Sequence, residues 1–445
     1  MKKSVLKIFS CGLLAALLLN STVVFAEGTE DKQSVKTMLQ NEARSSQEDE
    51  IYFSGEWLEP EEETVVKRLY GGNNTGRYET AVAISKEKWR DGTSTVVIAT
   101  GKDYPDALSA TPLAAKYSAP ILLTESEKLP QSVKEEITRL GASDAIIVGG
   151  NGAVSKEVET ELTSMDIETK RIDGKDRYST AVNVAKEVGT ENGIAVAYGL
   201  NYADALSIAP VAGKLSMPII LTPSNYMNND VKDFINSTEI SNTAIIGGTG
   251  VISNKVASLF PNPIRIGGRN RFETNINILT TFADGLSYDE VYVATGMNYP
   301  DALAGSAAAA TTGSPLILTG ADEIHSNTYI YAKCLRAKKV YGLGGQAVLS
   351  DEVLSWIGEL AQYLDVENIK SKPVTVNKNQ FAILPSAVFV LPDTGVLPKI
   401  VEIQWQTEDL VIDTSVAGEK IYTGVIKGHD INNDKYKVEL KVIVK

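Results

Sequence analysis

From about residue 68 to 364 the chain alternates two hydrophobic rhythms. Short runs of consecutive apolar residues, such as Thr95 to Ile98, ILLT from 121, IILT from 219 and LILT from 316, are punctuated by glycine. Between them lie segments such as Thr80 to Trp89 and Leu129 to Leu140, whose apolar positions recur every three or four residues. The runs predict strands buried on both faces, and the longer period predicts amphipathic helices. Their alternation calls for mainly parallel sheet covered by helices, with the ILLT-type runs as central strands. From Val374 the rhythm changes to VTV, AVFV from 387, IVEIQW from 400 and YKVELKVIV from 436, with Pro and Gly turns between. That pattern predicts a small antiparallel sandwich.

Comparing the chain with itself shows that the α/β part is a triplication. RLYGGNNTGRYETA from Arg68 matches RIDGKDRYSTA from Arg171 and RIGGRNRFETN from Arg265, which places Arg77, Arg177 and Arg271 in register. TGKDYPDALSA from Thr100, YGLNYADALSI from Tyr198 and TGMNYPDALAG from Thr295 form a second set. The ILLT-type runs, each followed by the Gly-Gly turn of IIVGG, IIGG or GLGG, form a third. Each unit of nearly a hundred residues is long enough to own a core. The expected layout is a signal peptide (1–26), an acidic leader (27–66), three α/β modules (67–164, 165–262 and 263–366) and an all-β module (373–445). The repeats leave open whether the modules close into a pseudo-three-fold arrangement or lie in a row.

The first 26 residues carry the three parts of a secretory signal: Lys2, Lys3 and Lys7, a leucine-rich core, and Val24-Phe25-Ala26 before Glu27. Cleavage there removes three lysines and no acids and takes the formal charge from −13 to −16. Such a balance argues against wholesale attraction to nucleic acid or anionic membrane, so a polyanionic partner must be met by local clusters. Past the signal no stretch reaches the roughly 18 apolar residues of a membrane span. Cys334 is then the one cysteine left, and it reads as a free packed thiol.

Candidate chemistry is sparse. After the signal the chain has His325 and His429 alone, in different predicted domains, and no HExxH pattern, so neither a catalytic nor a metal site is expected and no cofactor is called for. LPDTG from Leu391 matches a sortase recognition pattern, but a strand-like segment and fifty more residues follow it, so it reads as a hairpin turn. The turns at Gly149, Gly247 and Gly342 complete neither GxGxxG nor a P-loop and read as tight strand-to-helix turns that can still offer N–H groups to a phosphate. Asp106, Asp204 and Asp301 fall where an acid favours a helix N-terminus. Arg77, Arg177 and Arg271, beside Tyr78, Tyr178 and Phe272, suit a sugar phosphate held bidentately with an aromatic ring on the sugar face. The competing reading is an internal Arg–Asp pair linking the first and second motifs, and a repeated pair can do both jobs.

The RYxTA, YPDALSA, ILLT and VGG segments, recurring in order three times between Arg68 and Leu364, resemble the type 2 cell-wall-binding repeat of clostridial surface proteins and some bacterial autolysins. The resemblance implies three modules packed as a pseudo-trimer. It also implies non-covalent attachment to an anionic wall polysaccharide or teichoic-acid-like polymer, in or under a surface layer with its proteins as neighbours. Departures occur at Ala203 for Pro, Phe272 for Tyr and Asn275 for Ala. The segment from Val374 resembles bacterial immunoglobulin-like modules, which implies a displayed interaction domain. The expected function is a secreted, non-enzymatic anchor; the alternative is an accessory or modifier of an amidase-type autolysin.

Overall fold

The computed structural model describes residues 53–58, 63–72, 76–362, 365–371, 373–379, 382–392, 399–407, 410–430 and 432–445. The signal, most of the leader and residues 393–395 of LPDTG lie outside them. The chain divides into two compact units, one of residues 65–328 and 339–358, the other of the described residues up to 64 with 329–338 and 359–445.

The described chain opens with strands β1 (Phe53–Leu58) and β2 (Val65–Leu69). The first copy then runs α1 (Arg77–Lys88), β3 (Thr95–Thr100), α2 (Ala110–Lys116), β4 (Ile121–Thr124), α3 (Gln131–Leu140), β5 (Asp144–Val148), α4 (Lys156–Thr163) and β6 (Glu168–Ile172). The second repeats it as α5 (Arg177–Val188), β7 (Ile194–Tyr198), α6 (Ala203–Lys214), β8 (Ile219–Thr222), α7 (Asn229–Ser237), β9 (Thr243–Ile246), α8 (Asn254–Ala257) and β10 (Pro263–Ile266). The third runs α9 (Arg271–Thr281), β11 (Glu290–Thr295), α10 (Pro300–Thr312), β12 (Leu316–Thr319), α11 (Ser326–Cys334), β13 (Lys339–Leu343) and α12 (Asp351–Leu360).

These strands form three four-stranded parallel sheets, in the orders β4-β3-β5-β6, β8-β7-β9-β10 and β12-β11-β13-β2. The fourth strand of each sheet is the start of a first motif. Repeat 2 supplies β6 to the first sheet, repeat 3 supplies β10 to the second, and repeat 1 supplies β2 to the third, where Val65 to Leu69 pair with Lys339 to Leu343. The circle closes, which decides for the pseudo-three-fold arrangement over a row.

Helices α2, α6 and α10 pack against one another inside the ring. Three helices can approach so closely only where side chains are small, and equivalent positions Ala115, Gly213 and Ala310 meet there. A Cβ on Gly213 would lie 2.7 Å from that of Ala310 and 3.2 Å from that of Ala115. One turn earlier Thr111 and Ser306 hydroxyls bond at 2.6 Å in the buried interior. Beyond the helix starts, Tyr104, Tyr202 and Tyr299 of the second motif meet as a tilted trio, with ring centroids 5.4, 5.5 and 6.0 Å apart.

The ILLT-type strands β4, β8 and β12 are fully buried, as their composition requires, but they stand at sheet edges and not at the centre. The helix of the first motif packs against each one and does the covering that a neighbouring strand would do. In the third copy Asn275 reinforces this cover: its amide accepts from the Leu318 N–H and donates to the Leu316 carbonyl, at 2.9 and 3.0 Å.

The other unit is strand-rich. After β14 (Asp365–Ser371) come β15 (Val374–Val376), β16 (Ala382–Ile383), β17 (Ala387–Pro392), β18 (Lys399–Trp405), β19 (Val411–Ile412), β20 (Gly418–Ile426) and β21 (Lys437–Val444). Seven strands share one sheet, β14-β1-β17-β18-β20-β21-β15, in which β14 also pairs with β21, while β16 and β19 form a separate ribbon. The sheet takes in β1, which composition had placed in the acidic leader, and β14, which begins ahead of the expected boundary at 373. Both lie next to charged segments that hide a short strand from a compositional reading. Val388, Val390, Val401, Ile403, Trp405, Val438, Leu440 and Val442 are among the core residues, and the Trp405 indole donates to the Pro385 carbonyl at 2.6 Å. Cys334 is a buried free thiol, as expected.

Gly213→Val is expected to overpack the axis and cost about 1–3 kcal/mol, read as a fall in the urea midpoint at unchanged slope. An unchanged midpoint would mean that the three helices are not in close contact there.

Candidate functional site

The residues singled out by the triplication converge at the seams between copies. Each first-motif arginine donates to the carbonyl of the glycine that ends the central strand of its own copy: Arg77 to Gly101, Arg177 to Gly199 at 2.7 Å and Arg271 to Gly296 at 2.6 Å. Two of them also reach the preceding copy, Arg77 to the Tyr299 hydroxyl at 3.1 Å and Arg271 to the Tyr202 hydroxyl at 3.2 Å. At the third seam Tyr104 bonds instead to the exposed Leu200 carbonyl, at 3.0 Å.

Each aromatic neighbour packs against the glycine that ends the central strand. A Cβ on Gly101, Gly199 or Gly296 would press on the ring of Tyr78, Tyr178 or Phe272, at 2.6, 2.7 and 2.8 Å, so glycine is what admits each ring. Tyr178 is buried, and Phe272 stacks on His325 at 5.7 Å.

Each aspartate lies in the field of the following copy's arginine: Asp106 of Arg177, Asp204 of Arg271 and Asp301 of Arg77. The Arg–Asp relation therefore runs between copies and not within one. No ion pair closer than 4 Å joins them among the described residues, so the coupling is through the local field. Asp204 and Asp301 occupy the first turns of α6 and α10, where Tyr202 and Tyr299 hold the N-cap position, and Asp106 makes no cap hydrogen bond. The carboxylates instead abut Gly149, Gly247 and Gly344, whose φ values of +113°, +102° and +91° and closeness to the acid both demand glycine. Burial raises the pKa of all three acids, offset in part by the arginine, and carries Asp301 up to about 6.

The Gly-Gly turns have no free leading N–H for a phosphate. Gly149, Gly247 and Gly344 donate to the carbonyls of Ile172, Ile266 and Leu69, on the strand contributed by the next copy. On that strand Arg171, Arg265 and Arg68 donate back to the carbonyls of Gly149, Gly247 and Gly344, at 2.7, 2.7 and 2.9 Å. Arg171 and Arg68 add ion pairs to Glu159 and Asp351, at 2.8 and 2.6 Å.

The sequence reading missed these arginines and the axial tyrosines. Their signal was present, since each recurs at one position in all three motifs while the residue after the tyrosine changes between Pro and Ala.

The profile described as "Cell wall binding domain 2 (CWB2)" matches residues 68–159, 171–257 and 265–354, more than half of the chain. The chain belongs to this cell wall binding family. Each matched stretch opens on the arginine that clamps a Gly-Gly turn, inside the strand given to the neighbouring sheet. The CWB2 chain is 41% identical over 259 residues to "N-acetylmuramoyl-L-alanine amidase LytC" of Bacillus subtilis (strain 168), covering 58% of this chain and 51% of that protein. It is 29% identical over 326 residues to "Amidase enhancer" of the same organism, covering 72% and 44%. The chain thus spans about half the length of these curated relatives. Among solved structures it resembles Cwp6 from Clostridium difficile, with TM-score 0.63 and 28% identity over 73% of this chain and 54% of the other. It also resembles Cwp8 from the same organism, with TM-score 0.60 and 25% identity over 74% and 54%.

Asp301 gives the seam a pH signature. Its pKa stands above that of an unfolded aspartate, near 4, so its contribution to stability is complete below about pH 4 and is lost as pH rises through about 6. Between these limits the natural chain is expected to lose on the order of 2 kcal/mol relative to Asp301→Asn, measured as urea midpoints at several pH values. Parallel pH profiles would show that the acid is not buried at the seam.

Proposed function

We propose that this chain is a secreted, non-enzymatic surface protein held non-covalently to a Gram-positive cell wall by the CWB2 ring, which binds an anionic wall polysaccharide or teichoic-acid-like polymer. The observation that carries the reading is that three matched copies close into one ring. The strand-rich unit is then an immunoglobulin-like displayed part, within reach of surface-layer proteins.

Several features support a binding and not a catalytic role. His325 and His429 belong to different units, and His325 is taken up by Phe272 and Asn270. Burial pushes the Cys334 thiol up to about 12, far from the thiolate that a nucleophile needs. Among the described residues no cluster of three His, Cys, Asp or Glu is placed to hold a metal, and no helix is long and apolar enough to cross a membrane. The amidase and enhancer roles in the relatives' names belong to proteins of about twice the matched length. On this reading the seam arginines and aspartates act first as the ring's fastenings, and their contact with polymer is secondary.

Co-sedimentation of the full chain with clostridial walls tests the proposal. Binding is expected to fall about tenfold after acid extraction of the anionic polymer and to weaken as salt is raised. Equal binding to stripped walls would move the ligand to peptidoglycan itself, and no binding to any wall would remove the anchoring role.

A further inference from the structure

The two strands whose pairing closes the ring, β2 and β13, are each led into by residues of the strand-rich unit: Thr64 ahead of β2, and Leu335 to Lys338 ahead of β13. Those lead-in residues are tied to one another. The Thr64 hydroxyl donates to the Ala337 carbonyl at 2.7 Å, just before the ladder that begins with Val65 and Lys339. Ala337 donates its N–H to the Ala361 carbonyl at 2.9 Å and bridges to Gln362, so the chain entering β13 meets the chain leaving α12. Lys399 of β18 is buried, and its ammonium donates to the Leu335 and Leu360 carbonyls at 2.9 and 3.0 Å. A cation suits these carbonyls, which stand at the C-terminal ends of α11 and α12. Ahead of Thr64, strand β1 is paired on both sides, with β14 from Phe53 to Leu58 and with β17 from Phe53 to Gly55.

We propose that the strand-rich unit is the clasp of the ring, with β1 as its strap: by gripping the chain ahead of β2 and ahead of β13 it keeps the third sheet closed. The first two sheets need no such device. Their fourth strands, β6 and β10, follow β5 and β9 directly along the chain after one short helix each. The third sheet takes its fourth strand from the head of the chain, where Val65 pairs with Lys339. Without β1 in place, closure must shut a loop of about 270 residues. With Leu58 held opposite Asp365, the loop runs only through residues 59–64 and 344–364, about 27 residues, which by the −3/2 power of length favours closure about 30-fold. The clasp acts whatever the ring binds, and it extends the closed ring beyond the residues 68–354 that the family profile matches.

Hydrogen exchange of the full chain, followed strand by strand, tests the clasp. Ser54→Pro with Gly55→Pro takes two consecutive N–H groups out of a strand that is paired on both sides. Protection of β2 and β13 is expected to fall about 30-fold, while β6 and β10 stay within about twofold of the natural chain. A second variant leaves β1 unchanged and inserts about sixty Gly and Ser residues after Glu61, which lengthens the loop to about 87 residues and is expected to lower the same protection about sixfold. Where the proline pair unfolds all three sheets, the insertion decides alone. Unchanged protection of β2 and β13 in either folded variant, or a loss shared equally by β6 and β10 in the insertion variant, overturns the clasp.

Discussion

The ring depends on strand exchange between consecutive copies. Each sheet is left one strand short by its own repeat and is completed by the opening strand of the next, and the third is completed by Val65 to Leu69 from the head of the chain. Parallel strands must be covered on both faces, and each repeat supplies only three of the four strands of its sheet. The pairing of head and third copy joins residues more than 270 positions apart, so the ring gains its closure from one long-range contact.

The polar motifs follow from that closure. Where one copy's strand arrives at another's Gly-Gly turn, its arginine and its backbone carbonyl secure the turn from both sides. Beside it, an aspartate is pressed against the left-handed glycine, and the next copy's arginine lies close enough to offset part of its burial. A buried acid without a close ion pair is destabilising when charged, and it is tolerated here because helix start, arginine and hydroxyls share the field. The chemistry is triplicated because the same interface is built three times.

Departures from the triplicate pattern carry different information. Asn275 is a substitute for strand pairing, since it bonds both the donor and the acceptor side of β12. Ser179 instead moves the carboxylate across a pair: Ser132 donates to Glu79 in the first copy, and Ser179 donates to Asp230 in the second. A ring of near-equal copies can therefore hold its architecture constant while individual positions diverge in the contacts they make.

The fold class was legible in the sequence because hydrophobic period reports local burial and the triplication reports architecture: consecutive apolar runs such as ILLT could only be buried strands, and Thr80 to Trp89 only a helix. Repetition also singled out Arg77, Arg177 and Arg271 and the aspartates of the second motif, with an Arg–Asp pair as one of two readings. It did not say with which copy, since neighbours within a repeat and neighbours across a seam have the same spacing when every repeat is alike. The edge position of the ILLT strands, the recruitment of Phe53 to Leu58 into the strand-rich sheet and the meeting of three tyrosines on one axis were decided by tertiary structure alone. Each depends on contacts between residues far apart in the chain, whose pairing is set by closure of the sheets and not by any local preference of the residues involved.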